Sequence, residues 1–208
     1  MWGVATATLG GRPVAITTSR DHTARVWDLP TGQATTTLTG HTSSVTGVAT
    51  ATVGGRPVAI TTSVDDTARV WDLATGQATA TLTGHTSGVW GVATATLGGG
   101  PVAITTSWDG TARVWDLATG QATATLTGHT DHPTGIATGI VDGRPVAITT
   151  SGDRIARLWD LATAACQATL TFPDAPEAAA IAADGTVVLG MGNEVIALSP
   201  PSTIRRLP

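Results

Sequence analysis

His41, His85 and His129 each follow a glycine and recur at one interval (85−41 and 129−85 both give 44). The stretches between them carry many threonines and several aspartates. An imidazole, a hydroxyl and a carboxylate are the parts of an acyl-transfer triad: the hydroxyl attacks, the imidazole takes its proton and the carboxylate orients the imidazole. One active site has no reason to appear three times at even spacing. A structural staple does, because a buried carboxylate must be paired and a histidine that donates to it satisfies both groups. The copies are therefore read as structural, with no catalytic residue and no cofactor expected. Other chemistry fares no better. No GxxxxGK phosphate loop occurs, and the Gly-Gly pairs at 10–11, 54–55 and 98–99 read as hairpin turns. The lone cysteine, Cys166, cannot form a metal clamp or an intramolecular disulfide and reads as a small buried or semi-buried thiol in a strand. His22 and His132 fall in turns of different repeats, so no metal site is expected.

The elements that must hold these groups follow from the same period. Trp27-Asp28, Trp71-Asp72, Trp115-Asp116 and Trp159-Asp160 keep the step (71−27, 115−71 and 159−115 all give 44). A period in this range means one supersecondary unit copied and stacked. In the copy from Gly40 to Thr83, Val45 to Val53, Val58 to Ser63, Thr67 to Leu73 and Gln77 to Thr83 read as strands. Gly54-Gly55-Arg56-Pro57, Asp65-Asp66 and Thr75-Gly76 read as the turns between them. No segment shows a useful apolar stripe at helical spacing. Four short antiparallel strands per period make an all-β propeller blade, with small Gly, Ala and Thr side chains on the crowded inner strand.

Composition narrows the class. The chain has 208 residues, 41% hydrophobic and 12% charged, enough for one domain with a core. Its net charge is −4, without a basic run, which argues against nucleic acid. All 11 positive residues are Arg, and Tyr is absent; this bias points to a GC-rich bacterial genome. Gly76 to Ser107 lacks Asp, Glu, Lys and Arg, but its Thr, Gly, Ser and Gln exclude a membrane span. No basic start precedes an apolar block, so no signal peptide is expected. Met1 enters straight into repeat sequence, as from a cut inside a longer array or an abrupt natural start. With no oxidising compartment needed, the expected location is the cytoplasm.

The Gly-His pair, the Trp-Asp pair, the Asp six residues before the Trp and the period together resemble the WD-repeat β-propeller family, clearly over residues 1 to about 170. The resemblance implies a hydrogen-bonded tetrad in each blade. By position these are His41, Thr61, Asp65, Trp71; His85, Thr105, Asp109, Trp115; and His129, Thr149, Asp153, Trp159. Thr17, Asp21 and Trp27 match in the first copy, which has no His. The expected blades cover about 1–40, 41–84, 85–128, 129–172 and a degenerate 173–208, as one domain. In the last, Glu177 to Ala183, Thr186 to Met191, Glu194 to Leu198 and Thr203 to Leu207 read as strands, with Pro200-Pro201 marking an outer edge. Relatives of this kind commonly have seven blades and close the ring by a shared blade, and neither is evident here. Open ends would expose apolar blade faces, so self-association, as a homodimer through those ends, is favoured over a closed five-bladed ring.

Pro-Val-Ala-Ile-Thr-Thr-Ser occurs four times, and the copies differ at few places. Arg20, Val64, Trp108 and Gly152 precede the tetrad Asp, and His22, Asp66, Gly110 and Arg154 follow it. Trp2, Thr46, Trp90 and Thr134 stand at the mouth of the inner strand, with Ser44, Gly88 and His132 two residues earlier. These turns share one rim, which in the resembled family is the usual partner-binding face. Trp and Arg are common interface anchors, so Trp2, Arg20, Trp90, Trp108, His132 and Arg154 are the candidate contacts for a protein or peptide, with Trp90 and Trp108 expected to meet on one blade. A lectin-like propeller, its Trp faces stacking on sugars, is the alternative.

Overall fold

The structure, a computed structural model, describes residues 2–199, and these form strands joined by turns, with no helix. The first blade holds β1 (Val4–Leu9), β2 (Arg12–Thr18), β3 (Thr23–Asp28) and β4 (Gln33–Thr39). The second holds β5 (Val45–Val53), β6 (Arg56–Ser63), β7 (Ala68–Asp72) and β8 (Ala78–Leu82). The third holds β9 (Val89–Leu97), β10 (Gly100–Ser107), β11 (Ala112–Asp116) and β12 (Ala122–Leu126). The fourth holds β13 (Pro133–Val141), β14 (Arg144–Ser151), β15 (Ile155–Asp160) and β16 (Cys166–Thr171). The fifth holds β17 (Ala178–Ile181), β18 (Val187–Met191) and β19 (Glu194–Leu198). Each sheet is an antiparallel meander in chain order, as a propeller blade requires. The expected outer strand of the fifth blade, Thr203 to Leu207, and Pro200-Pro201 lie outside the described residues.

Local chemistry explains the hairpins. Gly54 and Gly55 take φ values of 56° and 79°, and Val53 pairs directly with Arg56. This is the two-residue turn that suits the twist of its strands and needs positive φ at both positions. Arg56 and Pro57 therefore belong to β6 rather than to the turn, a correction to the reading by composition. The Asp of each Trp-Asp pair closes the next turn: one Asp72 carboxylate oxygen accepts from the N–H groups of Ala74 and Thr75, at 2.9 and 3.0 Å.

The core lies between blades. Alternation along β6 sends Val58 and Ile60 toward the third blade, where they pack with Trp115 and Leu117. It sends Ala59 the other way, into a cluster with Ile16, Val26 and Leu38 of the first blade. Ala59 is paired with Trp71 across the sheet, as Ala103 is with Trp115 and Ala147 with Trp159. The small partner gives the indole its seat on the neighbouring blade. Hydroxyl-to-carbonyl bonds near the axis repeat the scheme: Thr50 donates to Thr6 O, Thr94 to Thr50 O and Thr138 to Thr94 O, at 3.0, 3.0 and 2.7 Å.

The inner strands β1, β5, β9, β13 and β17 pack side by side in that order. Each of β5, β9 and β13 begins with a bulge: Val45 pairs with Ser63 and Gly47 with Thr62, leaving Thr46 as the extra residue. Trp90 and Thr134 hold that place in the next two blades. The following glycine is required by close approach, because a Cβ on Gly91 would lie 2.6 Å from Thr106 Oγ1. Cys166, expected to be buried or half-buried, is exposed instead, since it opens the outermost strand of its blade.

Candidate partner-binding rim

The tetrads form a continuous relay in three blades. In the second, Trp71 Nε1 donates to Thr61 Oγ1 at 2.8 Å. The Thr61 hydroxyl lies 2.8 Å from His41 Nε2, and His41 Nδ1 lies 2.8 Å from Asp65 Oδ2. A neutral imidazole protonated on Nδ1 satisfies all three contacts, with Nε2 accepting from the hydroxyl. His85, Thr105, Asp109 and Trp115 repeat this arrangement, as do His129, Thr149, Asp153 and Trp159. Burial lowers the pKa of each histidine against the opposing pull of its aspartate. Burial pushes up on Asp65, but hydrogen bonds from Thr67, the Thr42 N–H and His41 outweigh it and leave the pKa lowered. The hydroxyls of a nucleophile's type sit on Thr61, Thr105 and Thr149, each 0% exposed. No substrate carbonyl reaches such an oxygen, so the relay fixes turns and does not perform acyl transfer. In the first blade Trp27 Nε1 still donates to Thr17 Oγ1 at 2.8 Å, while Asp21 lies at the surface beside Arg25.

The relay also fixes the rim. The tetrad Asp holds the turn between the second and third strands, and the residue after it is left-handed in all four blades. His22, Asp66, Gly110 and Arg154 have φ values of 69°, 67°, 82° and 65°. The residue before the Asp is thereby aimed outward, and in the third blade that residue is Trp108, 51% exposed. The bulge supplies the second device: as the unpaired residue, Trp90 leaves the ladder and turns over the end of the sheet.

Five of the six candidate contacts form one train. Arg20 lies over the Trp2 ring, 4.9 Å from its centroid. Trp2 meets Trp90 edge to face at 6.0 Å. Trp90 stacks on Trp108 at 4.5 Å, with planes 19° apart, and Trp108 meets His132 at 5.9 Å. The train crosses from the first blade to the fourth. It passes the second because Thr46, at the place of Trp2 and Trp90, is short and turned inward: its hydroxyl donates to Val89 O at 2.6 Å. Thr134 does the same toward Pro176 O at 2.7 Å. Arg154 stands apart in its turn, where its carbonyl accepts from Phe172 N, and shares none of the train's ring contacts among the described residues. Asp131, which sequence reasoning passed over, ends the train: its carboxylate lies 2.6 Å from His132 Nδ1. Among the described residues Trp90 Nε1, buried beside Gly88 and Val64, has no hydrogen-bond acceptor.

Antiparallel blades of three or four described strands, stacked face on face through Trp seats at three seams and pinned in three blades by a His-Thr-Asp-Trp relay, define a β-propeller. The family profile of the WD domain, G-beta repeat, matches residues 32–72, 76–116 and 120–160, more than half of the chain, and the chain belongs to the WD-repeat family. Comparison with curated proteins finds no match. WD repeats in general serve as scaffolds for protein interaction and are generally not enzymes.

Proposed function

We propose that this chain is a non-enzymatic scaffold that grips a protein or peptide across the rim formed by Arg20, Trp2, Trp90, Trp108 and His132, with Arg154 contributing from the edge. The observation that carries the reading is the train itself. Large rings, two of them about half exposed, are concentrated where otherwise nearly identical blades differ. Such rings offer much contact area with little rotamer entropy to lose. Folding alone gives no reason for them: an exposed indole gains little from burial, and the unpaired Trp90 Nε1 costs about 1–3 kcal/mol. The face-to-face stack of Trp90 on Trp108 occupies ring surface that a sugar would need, which favours a peptide over a glycan. The reading includes a cytoplasmic location and pairing of two copies through the blade ends, which would double the number of rims.

The test is capture of a cellular partner on immobilised chain, then calorimetry with the purified partner. Trp2→Ala with Trp108→Ala should keep the circular dichroism of the parent and weaken binding at least tenfold. Equal binding by the parent and the double variant overturns the proposal, and a glycan-array signal lost in the double variant replaces it with the lectin reading.

A further inference from the structure

The seams between the first four blades share one plan at the end of the sheets opposite the rim. There the turn after the third strand of one blade rests against the fourth strand of the blade before, beside the last residue of that blade's inner strand. One residue from each of these three places sets how full the corner is. Between the first and second blades they are Gly76, Thr36 and Leu9, and a Cβ on Gly76 would lie only 2.7 Å from the Thr36 methyl. Between the third and fourth they are Ala164, Ala124 and Leu97, all packed on the core of that seam. Ala164 accepts a φ of 58° to place its methyl there. Between the second and third they are Gly120, Ala80 and Val53, the smallest residue found at each place. The atom nearest to a Cβ on Gly120 would be the Ala80 methyl, at 3.4 Å. What remains is a cleft of about 190 Å³ floored by Val58, Val70 and Leu117. An apolar cavity of about 150 Å³ already holds a benzene ring.

We propose that this cleft binds a small apolar monocarboxylate of the size of benzoate, its body on Val58, Val70 and Leu117 and its carboxylate on Arg56. Arg56 stands at the mouth with its side chain 75% exposed. It donates from one nitrogen to Asp72 Oδ2 at 3.3 Å and makes no other hydrogen bond among the described residues. Its remaining N–H groups are open to a ligand, and a guanidinium receives a carboxylate through two parallel bonds. Asp72 is already engaged: Oδ2 accepts from Arg56, and Oδ1 accepts from the N–H groups of Ala74 and Thr75. A cationic ligand would meet the Arg56 charge first. The hydroxyls of Thr79 and Thr119 donate to Val70 O and Asp116 Oδ1, so the walls suit an apolar body. The neighbouring corners each lack one requirement. The first has its arginine, Arg12, but is filled by Thr36 and Leu9; the third is filled by Ala164 and Leu97 and has Gly100 in the place of Arg56. Only the corner between the second and third blades joins room to charge.

Benzoate at neutral pH, with benzyl alcohol as its uncharged counterpart, tests the site by methyl NMR and calorimetry on the full chain. Benzoate should shift the methyl signals of Val53, Val70 and Leu117 saturably and bind about fivefold or more tightly than benzyl alcohol, the margin expected of a charge-assisted pair. Val53→Leu with Gly120→Ala rebuilds the corner found between the third and fourth blades. It should keep the far-ultraviolet circular dichroism of the parent and bind benzoate about tenfold or more weakly, since the added methyl groups occupy the ligand's space. Ala80→Thr, which copies Thr36, fills the cleft from the opposite wall and should act alike. Arg56→Gly, which copies Gly100, should erase the preference for benzoate and leave the binding of benzyl alcohol unchanged. No saturable response to benzoate in the parent overturns the proposal, as does undiminished binding by the two filled forms. Benzyl alcohol binding as tightly as benzoate, or a preference for benzoate that survives Arg56→Gly, also overturns it.

Discussion

Trp90 and Trp108 stack with ring centroids 4.5 Å apart although one opens an inner strand and the other sits in the turn after the neighbouring strand. The bulge at Trp90 and the aspartate-held turn behind Trp108 converge on this contact. Two parallel indoles couple their excited states, so the near-ultraviolet dichroism should carry a paired signal. Trp108→Ala should abolish that signal and lower unfolding free energy in urea by no more than about 1.5 kcal/mol, the scale of an aromatic pair.

His85→Ala should be far more costly. It removes the acceptor facing the buried Thr105 hydroxyl and the donor facing Asp109. A loss of about 2–4 kcal/mol in urea unfolding is expected from two stranded buried groups. His22→Ala, at an exposed turn, should change stability by less than about 0.5 kcal/mol apart from any relief or strain at its positive φ.

Acidification should weaken the fold in two stages. The folded-state pKa values of His41, His85 and His129 are lowered by burial, so the unfolded chain binds protons more readily. Stability is full above the unfolded value, near pH 6.5, and falls as pH drops below it. The aspartates of the relays are also lowered, so a second loss opens below about pH 4. Melting temperature measured from pH 8 to pH 3 should decline in both windows, and His85→Asn should make the first decline shallower.

Gly91→Ala tests the crowding at the inner strands. Its Cβ would lie 2.6 Å from Thr106 Oγ1 and 3.1 Å from Ile136 Cγ2, on two different blades. Overpacking of this kind should cost about 1–3 kcal/mol in thermal or urea unfolding. Gly11→Ala, which meets no neighbour, should show only the strain of its positive φ.

Much of the blade could be read from residue types because turn chemistry and alternation are local. Paired glycines give two-residue hairpins, and Val, Ile and Thr in alternation give half-buried strands. The relay needed the family's pattern, since nothing in the spacing from His41 to Asp65 says that the chain returns to bring them together. The bulge was not legible: it is a mismatch between two strands, and the residue it frees is a threonine in two blades and a tryptophan in one. That mismatch determines where Trp90 points. The approach of Trp2 to Trp90 across an intervening blade was likewise hidden, although the alternation Trp2, Thr46, Trp90, Thr134 carried its signal. Asp131 was missed because an acid beside a histidine in a variable loop looks like ordinary surface.

The Trp seats on the first three blades are chemically interchangeable: Trp71, Trp115 and Trp159 each meet a leucine of the blade before, namely Leu38, Leu82 and Leu126, and the same Val-Ile pair. Seam chemistry alone thus cannot tell a folding chain which blade belongs beside which. Order comes from tether length: residues 40–44 and 83–88 are too short to let a blade pass over its neighbour. Lengthening either tether would permit blades to trade places, so in this molecule the connecting turns, and not the contacts they join, encode the sequence of assembly.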